Sequence, residues 1–308
     1  MPSISQMAAL ARKLALGLML WCGVQAQPAQ AQLMKPGQDI VRACGSIAVA
    51  LPLSEVVPVF RSERNIELVL RSAGGTSNGL EALSERSVNM ALSSREVTPV
   101  DRANNPEMQL VETPLGLQVL LLTVSQDVWN AGVHSLSSEQ MRGIYEGDIT
   151  SWKQLGGPDT KIRLFVQEEG RGNWEMLVQW LYGEIRKAPV WKGSRVKSMQ
   201  ETRNMLEFTP GAVSLLPPAF VDNQSVYAVS LKNDANKVID PTYENIFNKT
   251  YPLFRPLGFV TNDRPTGAVK VIIDFMTGER GQAILKQYGY LTVPEIEAAR
   301  KKTSGGGH

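Results

Sequence analysis

The sequence predicts an α/β fold, and three observations support this prediction. Short apolar runs typical of strands alternate with amphipathic patterns typical of helices along most of the 308 residues. The run LGLQVLLLTV, residues 115–124, is apolar almost throughout, as expected for a buried central strand. The chain is also longer than a single core usually requires, so we expect one large or two smaller domains.

The strands are predicted from short apolar runs, and the helices from apolar residues that recur every three or four positions. Strands are expected at 66–70, 88–92, 115–124, 162–166, 212–216, 226–231 and 253–260, and helices at 80–87, 137–145, 174–182 and 268–286. Ser137 and Gln140 fit a capping box at the start of the second helix. Mainly parallel sheets follow from the alternation. The charged segment from Glu295 and its glycine-rich end predict a frayed helix and a disordered end, and residues 296–308 are assigned to a disordered tail.

The first residues have the order of a secretory signal peptide. Arg12 and Lys13 precede the apolar run LALGLMLWCGV, and the small residues of QAQPAQAQ follow. The run is shorter than the roughly 20 residues that a membrane-spanning helix needs. We expect residues 1–32 to form a signal peptide and the mature protein to reside in the periplasm. Cleavage after Ala31 is favoured, with cleavage after Ala26 and an uncleaved anchor as alternatives.

Charge and cysteine content exclude further classes of protein. Residues 1–32 hold two of the 32 basic residues, so their removal leaves 30 basic residues against 30 acidic ones. A near-neutral protein without a basic run lacks the electrostatic footprint of nucleic-acid binding, so we expect no nucleic-acid partner. Cys44 would be the one cysteine left after cleavage, so no intramolecular disulfide is expected.

Residues for enzymatic chemistry are scarce. The two histidines are His134, in an expected loop, and His308, at the end of the chain. No His/Cys cluster has the spacing of a metal site, and no glycine-rich nucleotide-binding motif follows a strand. Nothing near His134 resembles a nucleophile turn. We therefore expect no catalytic residues, no metal and no cofactor.

Three strand-to-helix corners have a different character. They are residues 43–46 (ACGS), 72–79 (SAGGTSNG) and 170–173 (GRGN). Each corner supplies small residues, uncovered amides and a hydroxyl or amide side chain immediately before a helix. The first amides of a helix have no partner within it and carry the positive end of its dipole, so they bind oxyanions without lysines. Ordinary helix capping is the alternative for each corner alone.

The corners lie within a longer stretch of sequence that resembles one protein family. The segments AGGTSNGLEAL, VNMALSSREV, LSSEQMRGIYEGDITSWKQLGG, PGAVSLLP and YPLFRPLGFVTNDRPTGAVKVIIDFMTGERGQAILKQYGYLTV occur in the order of one family. From Cys44 to Val293 the chain resembles the periplasmic, PstS-like phosphate-binding proteins of ABC importers. The resemblance implies a two-lobed type II binding-protein fold with a ligand cleft between the lobes. Lobe one would take 33–116 plus 232–295, and lobe two 117–231, with residues 115–124 crossing between them.

The resemblance also implies where the ligand binds. Family ligand positions fall on the first two corners and on the loop after the second predicted strand, which contribute Gly45, Ser46, Gly75, Thr76, Ser77, Ser94 and Arg95. In the third corner, family members usually read Arg, two residues, Gly-Ser-Gly-Thr. Here the matching candidates are Gln167, Arg171, Gly172 and Asn173. Gln167 cannot replace the charged fork of an arginine, so Arg171 or Arg95 would have to supply the positive charge.

The leading hypothesis is an exported, monomeric solute-binding protein that captures a small oxyanion, with phosphate as the first candidate, and delivers it to an ABC permease. Because the family arginine is missing, a second hypothesis is a binding or sensing module of the same fold that no longer binds phosphate. A phosphate-ester hydrolase is a third hypothesis, which the shortage of bases and metal ligands disfavours.

Overall fold

The computed structural model describes residues 37–71, 74–167, 172–184, 187, 189–233 and 235–305. The expected signal peptide at 1–32 therefore lies outside the described residues. The fold described below is that of the compact unit that begins at Asp39.

The strands of the described chain are β1 (Asp39–Gly45), β2 (Ile66–Arg71), β3 (Met90–Ser93), β4 (Leu110–Val119), β5 (Leu121–Ser125), β6 (Ser135–Ser137), β7 (Arg163–Gln167), β8 (Ser194–Val196), β9 (Ala212–Leu216), β10 (Val226–Lys232), β11 (Val238–Ile239), β12 (Phe254–Asn262) and β13 (Leu291–Thr292). The helices are α1 (Ile47–Ser54), α2 (Val57–Glu63), α3 (Gly75–Ser84), α4 (Pro99–Asn104), α5 (Gln126–Asn130), α6 (Ser138–Glu146), α7 (Gly172–Tyr182), α8 (Met199–Phe208), α9 (Tyr243–Phe247), α10 (Gly267–Thr277), α11 (Glu279–Gln287) and α12 (Val293–Gly305). The capping box at α6 is confirmed. The backbone N–H of Gln140 donates to Ser137 Oγ over 3.1 Å, and the backbone N–H of Ser137 donates to Gln140 Oε1 over 2.9 Å.

The strands form two sheets, each with its own core. The first sheet has the order β13-β4-β12-β3-β1-β2, and the second has the order β11-β10-β5-β9-β7-β8, with β6 beside β10. One apolar core lies on the first sheet and includes Phe60, Met90 and Phe259, and another lies on the second sheet and includes Tyr145 and Trp152. We call each sheet with its helices a lobe. The predicted two-lobed α/β class is thereby confirmed.

Both sheets are mixed, which corrects the expectation of mainly parallel sheets. In the first lobe β1 is parallel to β2 and β3, but β12 runs antiparallel to both β3 and β4. In the second lobe β7 is parallel to β8 and β9, but β5 is antiparallel to β9 and β10. The antiparallel strands β4, β5 and β12 adjoin the segments that pass between the lobes. A strand that enters its sheet directly from the other lobe does not need the crossover connection that joins parallel neighbours.

The chain crosses between the lobes within residues 115–124, as expected, but it returns to the first lobe later in the sequence than expected. The predicted strand 115–124 is broken at Leu120 into β4 of the first sheet and β5 of the second. On the return, β11 pairs with β10, and Tyr251 and Leu253 belong to the core of the second lobe. The chain thus rejoins the first sheet at Phe254 rather than at residue 232, because buried apolar residues extend the second core that far.

Two expectations about the C-terminal part also differ from the structure. The helix expected at 268–286 is two helices, α10 and α11, because Gly278 is extended between them with φ −81° and ψ 176°. Residues 296–305, expected to be disordered, lie in α12. Ala299 of this helix is buried, Ile296 packs on the core, and the Arg300 guanidinium lies 5.3 Å from the Phe247 ring, so this segment has enough contacts to be ordered.

In the described part of the chain, no helix has the length and apolar character needed to cross a membrane.

A close backbone approach at Gly79 sets the position of α3. A Cβ atom added at Gly79 would lie 2.6 Å from the carbonyl oxygen of Cys44 and 3.1 Å from the Cα atom of Gly45. Only glycine therefore lets α3 pack this closely against the end of β1, and this packing brings the beginnings of α3 and α1 together.

We predict that Gly79→Ala destabilises the protein by about 1–3 kcal/mol, because the neighbouring atoms are backbone and must move. The sign of the change in the free energy of unfolding is informative, because alanine in place of glycine inside an unhindered helix stabilises a protein by up to about 1 kcal/mol. Urea denaturation measures the free energy of unfolding, with Ser84→Ala at an exposed position of α3 as the matched control. Equal or greater stability of Gly79→Ala would contradict the packing described here.

Candidate ligand-binding cleft

A cleft of about 710 Å³ lies between the lobes. From the first lobe it is lined by the beginnings of α1 and α3, by the loop after β3, and by the first residues of β12. From the second lobe it is lined by α7 and by the segment that leads into β12. The lining residues are Ile47, Gly74, Gly75, Thr76, Ser77, Ser94, Arg95, Glu175, Met176, Gln179, Trp180, Pro252, Phe254 and Arg255.

The first corner holds the start of α1 against the end of β3. Gly45 has φ +138°, and a Cβ atom there would lie 2.2 Å from the carbonyl oxygen of Leu92. This approach lets the Ser46 amide donate to the Leu92 oxygen over 2.8 Å, so that amide is occupied. The Ser46 side chain is 1% exposed, and its Oγ has no hydrogen-bond partner among the described residues. Gly45 and Ser46 are not among the residues that line the cleft, whereas Ile47, the next residue, is.

The second corner presents the start of α3 and a buried hydroxyl. Gly74 and Gly75 both have positive φ, +79° and +68°, which glycine adopts without strain. Thr76 is buried, and its Oγ1 accepts a hydrogen bond of 3.0 Å from the Ser94 amide. Because the oxygen accepts this bond, the Thr76 hydroxyl keeps its own proton for donation. Ser77 Oγ lies 3.4 Å from Arg95 Nη2.

Arg95 lines the cleft, but its charge is already paired. Its Nη1 and Nη2 donate to the two carboxylate oxygens of Asp101 over 2.5 and 2.9 Å. The hydrogen bonds from Arg95 and Thr98 hold the pKa of Asp101 far below its usual range. A bidentate pair of this kind leaves Arg95 little capacity to hold an external anion.

Of the four candidates in the third corner, only Asn173 has a described side chain. Arg171 lies outside the described residues, and so does the side chain of Gln167 at the end of β7. Gly172 begins α7. Asn173 is buried, its Oδ1 accepts a hydrogen bond from Gln118 Nε2, and its Nδ2 lies 3.8 Å from Met199 Sδ. Asn173 is not among the residues that line the cleft, and it lines a separate pocket of about 340 Å³ instead.

The structure places a guanidinium in the cleft that the sequence analysis missed. Arg255 is the second residue of β12, and its side chain is 12% exposed. Its Nε donates to Gln118 Oε1 over 2.7 Å, and its Nη1 lies 3.4 Å from both Ser94 Oγ and Glu175 Oε2. Its buried Nη2 has no hydrogen-bond partner in the described part of the molecule. Burial lowers the pKa of Arg255, and Glu175 opposes that shift.

A signal for Arg255 was present in the sequence. YPLFRPLGFV is an apolar strand interrupted by one arginine, and a charged residue inside a buried strand needs partners. The partners could not be found from the sequence, because Gln118 and Glu175 are distant in the chain and come together only through the pairing of β12 with β4 and the packing of α7.

The sequence of the chain matches a known superfamily. Residues 28–280 match the family model described as a PBP superfamily domain. The chain belongs to the PBP superfamily. Its sequence is 27% identical over 262 residues to the phosphate-binding protein PstS of Borreliella burgdorferi, covering 83% of this chain and 91% of that protein. The resemblance to PstS-like proteins is thereby confirmed.

Solved structures of the superfamily agree with this assignment. An ABC-type phosphate transport receptor from Vibrio cholerae aligns with a TM-score of 0.62 and 25% identity, over 82% of this chain and all of that one. A possible phosphate-binding protein from Planctomyces limnophilus aligns with a TM-score of 0.72 over 87% of this chain and 98% of that one. At 18% identity, the second comparison bears on the fold alone.

In this member of the superfamily the cleft combines donors with one carboxylate. The beginnings of α1 and α3, the Thr76 hydroxyl and the Arg255 guanidinium all present hydrogen-bond donors to the cleft, which suits an oxyanion. Glu175, whose side chain is 30% exposed, is the one carboxylate among the described lining residues.

We predict that Asp101→Asn destabilises the protein at pH 7 by about 1–3 kcal/mol, because it removes the charged acceptor of Arg95. The folded-state pKa of Asp101 is depressed, so its contribution is present above its unfolded pKa of about 3.9 and is lost as the pH falls toward the folded-state value. The difference between Asp101→Asn and the unmodified protein should therefore shrink between pH 7 and pH 3.

Urea denaturation at both pH values measures this difference. Asp159→Asn, at a solvent-exposed pair with Lys153, is the matched control and should change stability little at either pH. A destabilisation by Asp101→Asn that is equal at pH 7 and pH 3 would contradict the charged pairing.

Proposed function

We propose that this protein is the solute-binding component of an ABC importer and that it captures a small oxyanion, with phosphate as the leading candidate. The observation that carries the proposal is the convergence of two helix beginnings, α1 and α3, on one cleft. Ile47 at the start of α1 and Gly75 and Thr76 at the start of α3 line this cleft, and the Thr76 hydroxyl retains a proton to donate. The buried Ser46 hydroxyl has no partner among the described residues, but it does not line the cleft.

The relatives support the choice of ligand. The relative from Borreliella burgdorferi is named as a phosphate-binding protein, and the structure from Vibrio cholerae is that of a phosphate transport receptor. By this proposal the protein acts in the periplasm as a monomer, hands the anion to the transmembrane subunits of a permease, and makes or breaks no bond of the ligand. Among the described residues, no group of three or more His, Cys, Asp or Glu side chains could hold a metal ion.

The proposed ligand contacts come from both sides of the cleft. The first lobe contributes amides and hydroxyls of Gly45, Ser46, Gly75, Thr76, Ser77 and Ser94, with Arg95 beside them, and the second lobe contributes the segment with Gln167, Arg171, Gly172 and Asn173. A ligand that touches both lobes stabilises the arrangement in which they are close, because only that arrangement allows every contact. Asn173 would have to leave Gln118 to take part.

Two features favour a second candidate function. Gln167 stands where family members carry an arginine, and Glu175 places a negative charge in the cleft. A binding or sensing module of the same fold, with a ligand other than phosphate, would tolerate both features.

Thermal unfolding in the presence of different anions separates the two candidates. We predict that millimolar phosphate raises Tm, because a ligand that binds the folded state stabilises it by mass action. Sulfate, molybdate and arsenate serve as comparison anions, and chloride at equal ionic strength is the control. No shift with any of these oxyanions would contradict the importer proposal and favour the alternative module.

We also predict that Thr76→Val weakens phosphate binding by about 1–3 kcal/mol, because the bound anion loses a hydroxyl donor. Thr76→Ser retains the hydroxyl and is the matched control, which should bind phosphate nearly as tightly as the unmodified protein. Isothermal titration calorimetry measures both affinities. Equal affinity of Thr76→Val and Thr76→Ser would remove Thr76 from the site.

A further inference from the structure

Two side chains, Gln118 and Asn173, hold Arg255 in the cleft through a series of hydrogen bonds with a defined direction. A guanidinium only donates, so Gln118 must direct Oε1 toward Arg255 Nε and Nε2 toward the oxygen of Asn173. Both amides are at least nine-tenths buried, so water cannot easily replace either bond. These hydrogen bonds fix the Nε edge of the guanidinium and leave its two Nη atoms to contact other groups.

The partners of the Nη atoms are incomplete. Nη1 has only long contacts, 3.4 Å to Ser94 Oγ and 3.4 Å to Glu175 Oε2, and Nη2 has none in the described part of the molecule. A buried cation with an unpaired donor is costly, so such a group is usually found where a partner binds. Arg95, the other basic residue among the described lining residues, is already bound by Asp101.

Glu175 is suited to a temporary partnership. Its contact with Arg255 is a single long one, whereas Asp101 holds Arg95 through two bonds of 2.5 and 2.9 Å. Glu175 lies on α7 of the second lobe, and Arg255 lies on β12 of the first sheet, so their ion pair spans the cleft. The side chain of Glu175 is 30% exposed, which gives its carboxylate access to water when it leaves.

We propose that Arg255 is the cationic anchor for the oxyanion and that Glu175 is its counter-ion in the empty cleft, which the ligand replaces. This inference rests on the proposed function, since it assigns the charge that holds the same ligand. An oxyanion on Nη1 and Nη2 forms two parallel charged hydrogen bonds, the geometry that guanidinium groups match best. Arg255 thereby supplies, from another strand, the charge that is absent at Gln167.

The experiment is calorimetric titration of the full protein with inorganic phosphate. We expect Arg255→Gln to weaken binding roughly 10- to 100-fold, because charged hydrogen bonds to the anion are lost. Arg264→Gln removes the same charge at an exposed position just after β12 and should leave the affinity within about three-fold, since exposed charges at a distance are screened. Circular dichroism establishes that each variant is folded.

Glu175→Gln provides a second test if Arg255→Gln fails to fold. We expect it to bind phosphate roughly three- to ten-fold more tightly, because the anion no longer competes with a carboxylate for the guanidinium. If Glu175→Gln binds phosphate more weakly than the unmodified protein or equally tightly, Glu175 is not a counter-ion that the ligand replaces. If folded Arg255→Gln binds phosphate as tightly as Arg264→Gln, Arg255 is not the cationic anchor. In either case phosphate binding by the unmodified protein would leave the proposed function intact. If the unmodified protein binds no phosphate, the proposed function and this inference both fall.

Discussion

The arrangement of the cleft depends on one buried interaction, the hydrogen bond from Arg255 Nε to Gln118 Oε1. The two residues are direct partners in the antiparallel pairing of β12 with β4, close to the positions where the chain passes between the lobes. A guanidinium at this place would be destabilising without fixed partners, because burial removes it from water. Gln118 holds one edge of the group and Asn173 holds Gln118, so the crossing strands, the start of α7 and the cleft are linked through a single charge.

The proposed anchor would supply the positive charge that the neutral Gln167 does not. By this proposal the charge comes from β12, which lies against the loop after β3 and therefore close to the first two corners. Arg95 cannot take this role as readily, because Asp101 binds it on both Nη atoms. Among the described lining residues, neutral donors at the helix beginnings are thus combined with Arg255, a cation whose partner Glu175 is weakly held.

Local features of the sequence predicted much of the fold but only part of the site. The capping box at Ser137 and the glycine corners are determined by neighbouring residues, and the structure has the capping box and the first two corners where they were expected. The pairing of Arg255 with Gln118 and Glu175 depends on strand register and lobe packing, which local pattern cannot show. The break at Leu120 and the extension of the second core to Leu253 have the same origin, since apolar runs do not reveal which sheet they join.

The most direct test of this account is a crystal structure of the protein with phosphate bound. We expect an anion between the lobes, within hydrogen-bond distance of the Thr76 hydroxyl and of both Nη atoms of Arg255, with the Glu175 carboxylate displaced from the guanidinium. An anion held elsewhere, or one seated in the cleft while Arg255 remains on Glu175, would contradict it.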